Sequence, residues 1–597
     1  MDSTTRFSTQ RVGALPVVVA YLEKMQLAEM IDTHVPWEGE VSLGMLIEIM
    51  VCNRLLNPKA QYKIGEWAER AGVCGYYNVT PEQLNDDRLG RALERVAQHA
   101  FTIQSQLLLV LIRKFKLDVS NIHYDISNVE LYGDYGRQLK AIEAAQAVSD
   151  AVSDAASDSD EATDTSDSSA CNSELTTTNR RQHGPLPMYG RTKSGRKNVK
   201  QVQFGINVAR DGAVPIDLLP FDGNEAEVKT HIENLDRLRR MLPTKRLVYA
   251  ADTKFDSPEN LLTNKAAGGQ FLCGGVFQPH LKKEYVKYLD KMKVVDYCPK
   301  SKQHLPDDKR PKYKVYETYE TLEGKVDRKK IRMRYRQLFV WSEAKAAEEA
   351  KTRQRHIDKT KAEFEKISKN LNKYNLKTRE KIVSRLEAAK NKYAASEVFT
   401  YDLSESRGVF SLTWQIDAAA LKSLEQLDGA YLLKTDLPKS EYSSAAVLQE
   451  YKEQIHVERR IGDMKGPLAI APMFLEKPLR IAGMMYILLW ALMAMALMER
   501  DVRKNLKGQP LFGIYPENRP SHAPTGKSIL AQFEDLTIVI MKHHGEQTRR
   551  LAELNTTQRH LIQLMNLPPT ALQSFKSRAC RLRQSNPKQL SVSGCGM

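Results

Sequence analysis

The chain has few cysteines, and none are spaced to grip a metal together. Its seven (Cys52, Cys74, Cys171, Cys273, Cys298, Cys580 and Cys595) are scattered, with no C-x-x-C pair. An odd, dispersed count points to a reducing compartment and excludes a zinc ribbon or a disulfide scaffold. The opening MDSTTRFSTQRVGALP lacks an apolar run of signal-peptide type. One long uncharged run occurs, Ile481–Met498, closed by Arg480 and by Glu499-Arg500. It sits at the lower length limit of a membrane span, but a buried core helix reads the same way, and that is our expectation. These absences together predict a cytoplasmic protein with no membrane attachment. Lysine and arginine are missing from Glu143 to Glu174.

Elsewhere positive charge is in excess. Across 597 residues, 89 Lys and Arg face 73 Asp and Glu, a formal net charge of +16. Such a balance fits a polyanionic partner, and on charge alone an anionic membrane surface too. The length allows several domains with sizeable cores.

Between residues 12 and 117, segments such as VVVAYLEKMQLAEMI and DDRLGRALERVAQHAFTIQSQLLLVLIRKF carry apolar residues at three- and four-residue steps, which predicts helices. A helix-turn-helix and a plain helical bundle both fit this pattern. At Leu117 the texture changes. In SNIHYDISNVELYGDYG, Ile122, Tyr124 and Ile126 alternate with His123, Asp125 and Ser127, which reads as a strand. The acidic, low-complexity stretch that follows, 139–183, cannot bury enough apolar area to fold and reads as a disordered insertion. VQFGINVA and AVPIDLLPF flank Arg210-Asp211-Gly212, a hairpin signal. A helix, a buried strand ending at Asp252, a helix capped near Ser257 and a strand in GGQFLCGGVF come next.

From about Gln278 the composition turns rich in lysine and tyrosine. Two strongly charged helical segments broken by NLNKYN predict an antiparallel helical hairpin. The α/β pattern resumes with GVFSLTWQI and GAYLLKTDL. The expected organisation is therefore a helical N-terminal domain (1–118), a mixed α/β core in two parts (119–277 and 412–500), a lysine-rich module inserted between them (278–411), and a basic C-terminal region (501–597).

Three acids stand out. Asp125 lies mid-strand among apolar neighbours, and Asp252 ends a buried strand, the place where ligand chemistry gathers in open α/β sheets. For either alone, a helix cap or an ion pair is the better explanation of the carboxylate. In YKEQIHVERRIGDMKG, helical spacing puts Tyr451, Gln454, Glu458 and Lys465 on one face, with Arg459 and Arg460 beside it. That set suits a surface that grips phosphate and carries one metal ligand.

HYDISNVELYGDYG, FGINVARDGAVPIDLLPFDGN, LVYAADTKFDSPENL and YKEQIHVERRIGDMKGPLAIAPMF together resemble the DDE transposases of bacterial insertion sequences. The similar subgroup is the insertion-sequence-four superfamily, whose signature is Y-x2-R-x3-E-x6-K. This chain reads Tyr451-x2-Gln454-x3-Glu458-x6-Lys465, so Gln454 departs from the pattern. LNDDRLGRAL resembles the helical domain preceding such cores, which implies DNA-end binding by residues 1–118, and the likeness runs from about Val12 to Arg500. The resemblance implies an RNase H-like core in which Asp125, Asp252 and Glu458 are the catalytic acids and bind two Mg2+ ions, with Mn2+ as a substitute. Hard carboxylate oxygens suit those metals. It further implies phosphate contact by Tyr451 and DNA contact by Lys465. Gln454 can hydrogen-bond phosphate but lacks a cationic fork, which leaves Arg459 or Arg460 as the candidates to supply one. The implied partners are double-stranded DNA, as transposon inverted repeats and target, and a second copy of the chain in a synaptic complex. The implied activity is cleavage at the element's ends and strand transfer. A catalytically inactive or domesticated DNA-binding protein and a non-transposing RNase H-like nuclease are the alternatives.

Overall fold

The structure is a computed structural model that describes residues 6–133, 135, 183–190, 195–196, 198–242, 246–299, 302–303, 305–393, 397–470, 473–543 and 546–568. The acidic stretch from 139 to 182 and the tail from 569 lie outside the described residues. The fold is mixed α/β. The chain forms two compact units, Met1–Tyr249 with Glu453–Met597, and Ala250–Lys452.

In the first unit the periodic apolar residues fold into the helices Leu15–Met25, Leu27–His34, Leu43–Leu56, Ile64–Arg70, Val73–Tyr77 and Asp86–Phe115. The longest opens on Asn85, whose side chain accepts from the Arg88 N–H at 2.9 Å, with Asp86 and Asp87 in its first turn. Cap and acids satisfy an otherwise orphaned donor and complement the helix dipole. Helix Pro478–Leu506 packs on Asp86–Phe115, on Leu43–Leu56 and on the strand Val214–Phe221. It is long and apolar enough to cross a membrane, yet Ile481–Met498 is buried throughout within this unit. Gly483 allows a close approach, since a Cβ there would run into the Leu93 carbonyl oxygen. Polar groups inside this interface are paired: Trp490 Nε1 donates to Gln104 Oε1 at 2.8 Å, and Gln104 Nε2 donates to the Ile216 carbonyl at 2.6 Å. At roughly 1.5–3 kcal/mol per large apolar side chain, this helix is a principal source of the unit's stability.

The strand Asn121–Leu131 pairs antiparallel with Lys200–Ala209, placing Asp125 opposite Ile206. Lys200–Ala209 turns through Asp211-Gly212 into Val214–Phe221, another antiparallel neighbour, with Gly212 at φ 73°. That is the hairpin the Asp-Gly pair predicts. A feature absent from the sequence reading joins the two ends of the chain. Arg6–Arg11 pairs antiparallel with Thr537–His543, which pairs with Glu546–Leu551.

The second unit holds an antiparallel run in which Gln270–Gly275, Ala430–Thr435, Lys329–Ser342, Tyr313–Val326 and Lys293–Val295 follow one another as neighbours. The two fourteen-residue strands Tyr313–Val326 and Lys329–Ser342 form one long antiparallel ribbon. The charged helices are present as Glu343–Lys369 and Arg379–Lys392, packed together around Phe364, Ile382 and Leu386. Val409–Ile416, expected to resume the core sheet, instead pairs with Phe399–Ser406, and the two strands pack on this helical pair through Trp414 and Phe399 respectively.

Candidate active site

Asp125 and Glu458 belong to the first unit. His123, Asp125 and Ser127 share one face of their strand by the pleat. That face meets the start of the helix Ile455–Lys465, because the Gln454 side chain spans the junction. Its Nε2 donates to the Tyr124 carbonyl at 2.9 Å, and its Oε1 lies 3.1 Å from His123 Nδ1. Asp125 Oδ1 accepts from the Ile126 N–H at 2.8 Å, and its carboxylate is half-buried. Behind the strand, Tyr124 stacks on Tyr249 at 5.8 Å and meets His231 edge-on. His231 sits 3.0 Å from the Tyr249 hydroxyl, and burial pulls its pKa down to about 3.

The helix Ile455–Lys465 buries Val457, Arg460, Ile461 and Met464 and leaves Glu458 and Lys465 exposed. Arg460 is 1% exposed, and its guanidinium is used on every side. It donates to the Ala213 carbonyl at 2.8 Å, to Asp463 at 3.0 Å and to Glu499 Oε2 at 2.7 Å. Glu499 also accepts from Arg459 at 3.1 Å and from the Gly526 N–H at 2.6 Å, and pairs with Arg503 at 3.3 Å. Burial alone would raise the Glu499 pKa. Arg460, Arg503 and Arg459 outweigh it and hold the carboxyl below its ordinary value. The Glu458 helix is thereby tied to the Asp211-Gly212-Ala213 turn and to the end of Pro478–Leu506.

Asp252 and Tyr451 belong to the second unit. Asp252 follows the strand Val248–Ala251 and caps a short 3-10 turn, its Oδ1 accepting from the Lys254 N–H at 2.9 Å. The turn is pinned at its far end by Asp256, which accepts from the Val276 N–H at 2.7 Å and pairs with Lys434 at 2.8 Å. Gly274 lets two groups close in over the strand. A Cβ there would lie 2.7 Å from Thr253 Cγ2 and 3.0 Å from the Tyr451 hydroxyl. Tyr451 packs against the cluster containing Val447, Leu448, Tyr313 and Leu433. Its hydroxyl therefore reaches the turn that begins at Asp252.

The four signature residues do not share one helix. Ser444–Lys452 ends before Glu453, and Ile455–Lys465 begins after Gln454. The break comes from tight three-residue bonds, His456 N–H to the Glu453 carbonyl at 2.9 Å and Val457 N–H to the Gln454 carbonyl at 3.0 Å. It coincides with the boundary between the units. The sequence reading also missed Lys434, Asp256 and Glu499. A lone ion pair between distant residues leaves no local pattern in the sequence.

By donor chemistry, the carboxylates of Asp125, Asp252 and Glu458 fit a hard divalent cation. Among the described residues, no three His, Cys, Asp or Glu side chains form a group placed to hold a metal ion.

A profile described as "Transposase DDE domain" matches residues 175–494, and one described as a domain of unknown function (DUF4277) matches 7–108. Asp252 and Glu458 fall inside the first match; Asp125 falls between the two. No curated protein matches the chain. The solved structure titled "Cryo-EM structure of piggyBac transposase synaptic complex with hairpin DNA" is similar over 97% of this chain and 87% of that one, at 8% identity and a TM-score of 0.34. A score that low carries no residue role across. The transposase match spans more than half of the 597 residues, and on that ground the chain belongs to the DDE transposase family.

Proposed function

We propose that the chain is the transposase of a bacterial insertion sequence of the insertion-sequence-four superfamily. It binds the element's terminal inverted repeats, cleaves the DNA at the ends and joins them to target DNA, acting in the cytoplasm as a homodimer in a synaptic complex. The observation that carries this reading is the transposase-domain match across residues 175–494, with Asp252 at a strand end and Glu458 exposed on its helix.

The acids we assign to catalysis are Asp125, Asp252 and Glu458, in an RNase H-like core. They would hold two Mg2+ or Mn2+ ions, which when bound supply charge neutralisation and water activation for in-line displacement at phosphorus. The backbone N–H groups of Ile126 and Lys254 each hold one oxygen of their aspartate, fixing its orientation before substrate arrives. Tyr451, Arg459 and Lys465 are assigned to the DNA backbone. The Gln454 amide is already committed to His123 and Tyr124, which supports a positioning role beside whatever phosphate contact it makes.

Gln454 at the signature's arginine position also favours a second reading, an RNase H-like protein that binds or nicks DNA without transposing. One assay separates the two: Mg2+-dependent nicking and strand transfer with DNA carrying the element's own ends. Nicking with transfer supports the transposase; binding or nicking without transfer supports the second reading.

A further inference from the structure

The outer half of the ribbon formed by Tyr313–Val326 and Lys329–Ser342 has two different faces. Cross-strand register puts Leu322 opposite Met333 and Gly324 opposite Ile331 on one of them. This face is apolar and covered: Met333 is 1% exposed, and Leu262 of the helix Pro258–Ala266 lies 2.4 Å from where a Gly324 Cβ would be. The opposite face carries Lys325 across from Lys330, Glu323 across from Arg332, and Thr321 across from Arg334, with Tyr319 next along the strand. All of these side chains are exposed.

Four cations therefore share a face with one carboxylate. Glu323 pairs with Arg332 at 3.0 Å and with Lys330 at 3.5 Å in open solvent, which neutralises little of the excess. The Lys325–Lys330 pair is informative, because like charges directly opposite one another weaken a β-ladder. Hairpin stability gives no reason for it, whereas a polyanion does. Arg334 stacks on Tyr319, 4.4 Å from the ring centroid, which holds its guanidinium flat on the face. Lys330, Arg332 and Arg334 recur at every second residue, about 6.8 Å apart along an antiparallel strand. That interval is of the order of the distance between neighbouring phosphates along one DNA strand, which exceeds the rise of about 3.4 Å per nucleotide because the backbone winds around the axis.

We propose that this ribbon face, with Lys325, Lys330, Arg332, Arg334 and Tyr319, is a duplex-DNA contact that tracks one phosphate backbone. The inference rests on the transposase reading for its choice of polyanion, but concerns a surface remote in sequence from the acids assigned to catalysis.

The test is fluorescence anisotropy of the full chain with a labelled mixed-sequence duplex at stepped potassium chloride concentrations. Wild type is compared with K330Q/R332Q/R334Q and with K351Q/R355Q/K359Q, which removes equal charge from the exposed face of the helix Glu343–Lys369. The ribbon variant should bind roughly tenfold or more weakly and lose up to about 3 from the slope of log affinity against log salt, at about 0.9 per phosphate contact. The helix variant should change far less. Equal losses in both variants, no loss in the ribbon variant, or preference of the wild type for RNA or anionic vesicles over duplex DNA each overturn the proposal. Magnesium-dependent nicking by the wild type, measured in parallel, separates failure of the ribbon from failure of the transposase reading. Nicking with an unchanged ribbon variant sinks the ribbon alone, and absence of both binding and nicking sinks both. Unaltered thermal melting of the variants confirms that these exposed substitutions leave the fold intact.

Discussion

Arg460 and Glu499 form a salt bridge of 2.7 Å in which both side chains are 1% exposed. Two further arginines, Arg459 and Arg503, share the same carboxylate. Removing that negative charge would leave the buried Arg460 with Asp463 as its remaining carboxylate partner, too little for a guanidinium so enclosed. Glu499→Gln should therefore destabilise the first unit by about 3–5 kcal/mol, whereas a double change of Arg460→Met and Glu499→Leu should recover much of the loss. Urea unfolding of the three proteins measures this. Because the pair anchors the helix carrying Glu458, any nicking activity should fall in Glu499→Gln even where the protein is still folded.

The side chain of Gln454 joins the Asp125 strand to the Glu458 helix. Gln454→Ala leaves the Tyr124 carbonyl and His123, itself 1% exposed, without those two bonds. The expected cost is about 1–3 kcal/mol. If Gln454 acts by positioning, kcat for nicking falls while the affinity for end DNA stays close to wild type. A phosphate contact would instead show as weaker binding.

Gly274 can be tested in the second unit without touching an acid. Gly274→Ala puts a methyl 2.7 Å from Thr253 Cγ2 and 3.0 Å from the Tyr451 hydroxyl, so either these side chains rotate away or the turn that begins at Asp252 shifts. Overpacking of this kind costs about 1–3 kcal/mol. A displacement of about 1 Å at a reacting group costs on the order of a hundredfold in rate. Nicking should therefore suffer well beyond what the loss of stability explains.

His231 predicts a pH dependence. Its pKa is about 3 in the fold, against about 6.5 in an unfolded chain. A depressed folded value means the imidazole is neutral when buried. Its contribution to stability is fully present above pH about 6.5 and is lost as pH falls toward 3, at no more than about 1.4 kcal/mol per pH unit. The difference in unfolding free energy between wild type and His231→Asn should narrow on acidification below about pH 6.5. A constant difference would show that His231 titrates normally.

Much of this architecture is legible locally. Alternation marks the Asp125 strand, Asp211-Gly212 marks its neighbouring hairpin, and Ser257 caps the helix Pro258–Ala266, accepting from the Asn260 N–H at 3.2 Å. The charged helical pair follows from its period. What is not legible depends on partners far away in the chain. Helical spacing continues through Lys452, Glu453 and Gln454, so nothing in the pattern announces a break that tertiary bonds to His123 and Tyr124 help hold. The ribbon hides because its lysines and arginines alternate with apolar residues that the helix Pro258–Ala266, distant in sequence, covers. The pairing of Arg6–Arg11 with Thr537–His543 has no local signal at all.

The most direct test of the central claim is a cleavage assay on DNA carrying the element's ends, with Mg2+ present, using wild type, Asp125→Asn, Asp252→Asn and Glu458→Gln. We expect cleavage and joining by wild type, with neither activity in the three variants, although each still binds the ends. Cleavage at the wild-type rate by any one of them would contradict the assignment of that acid and the account built on it.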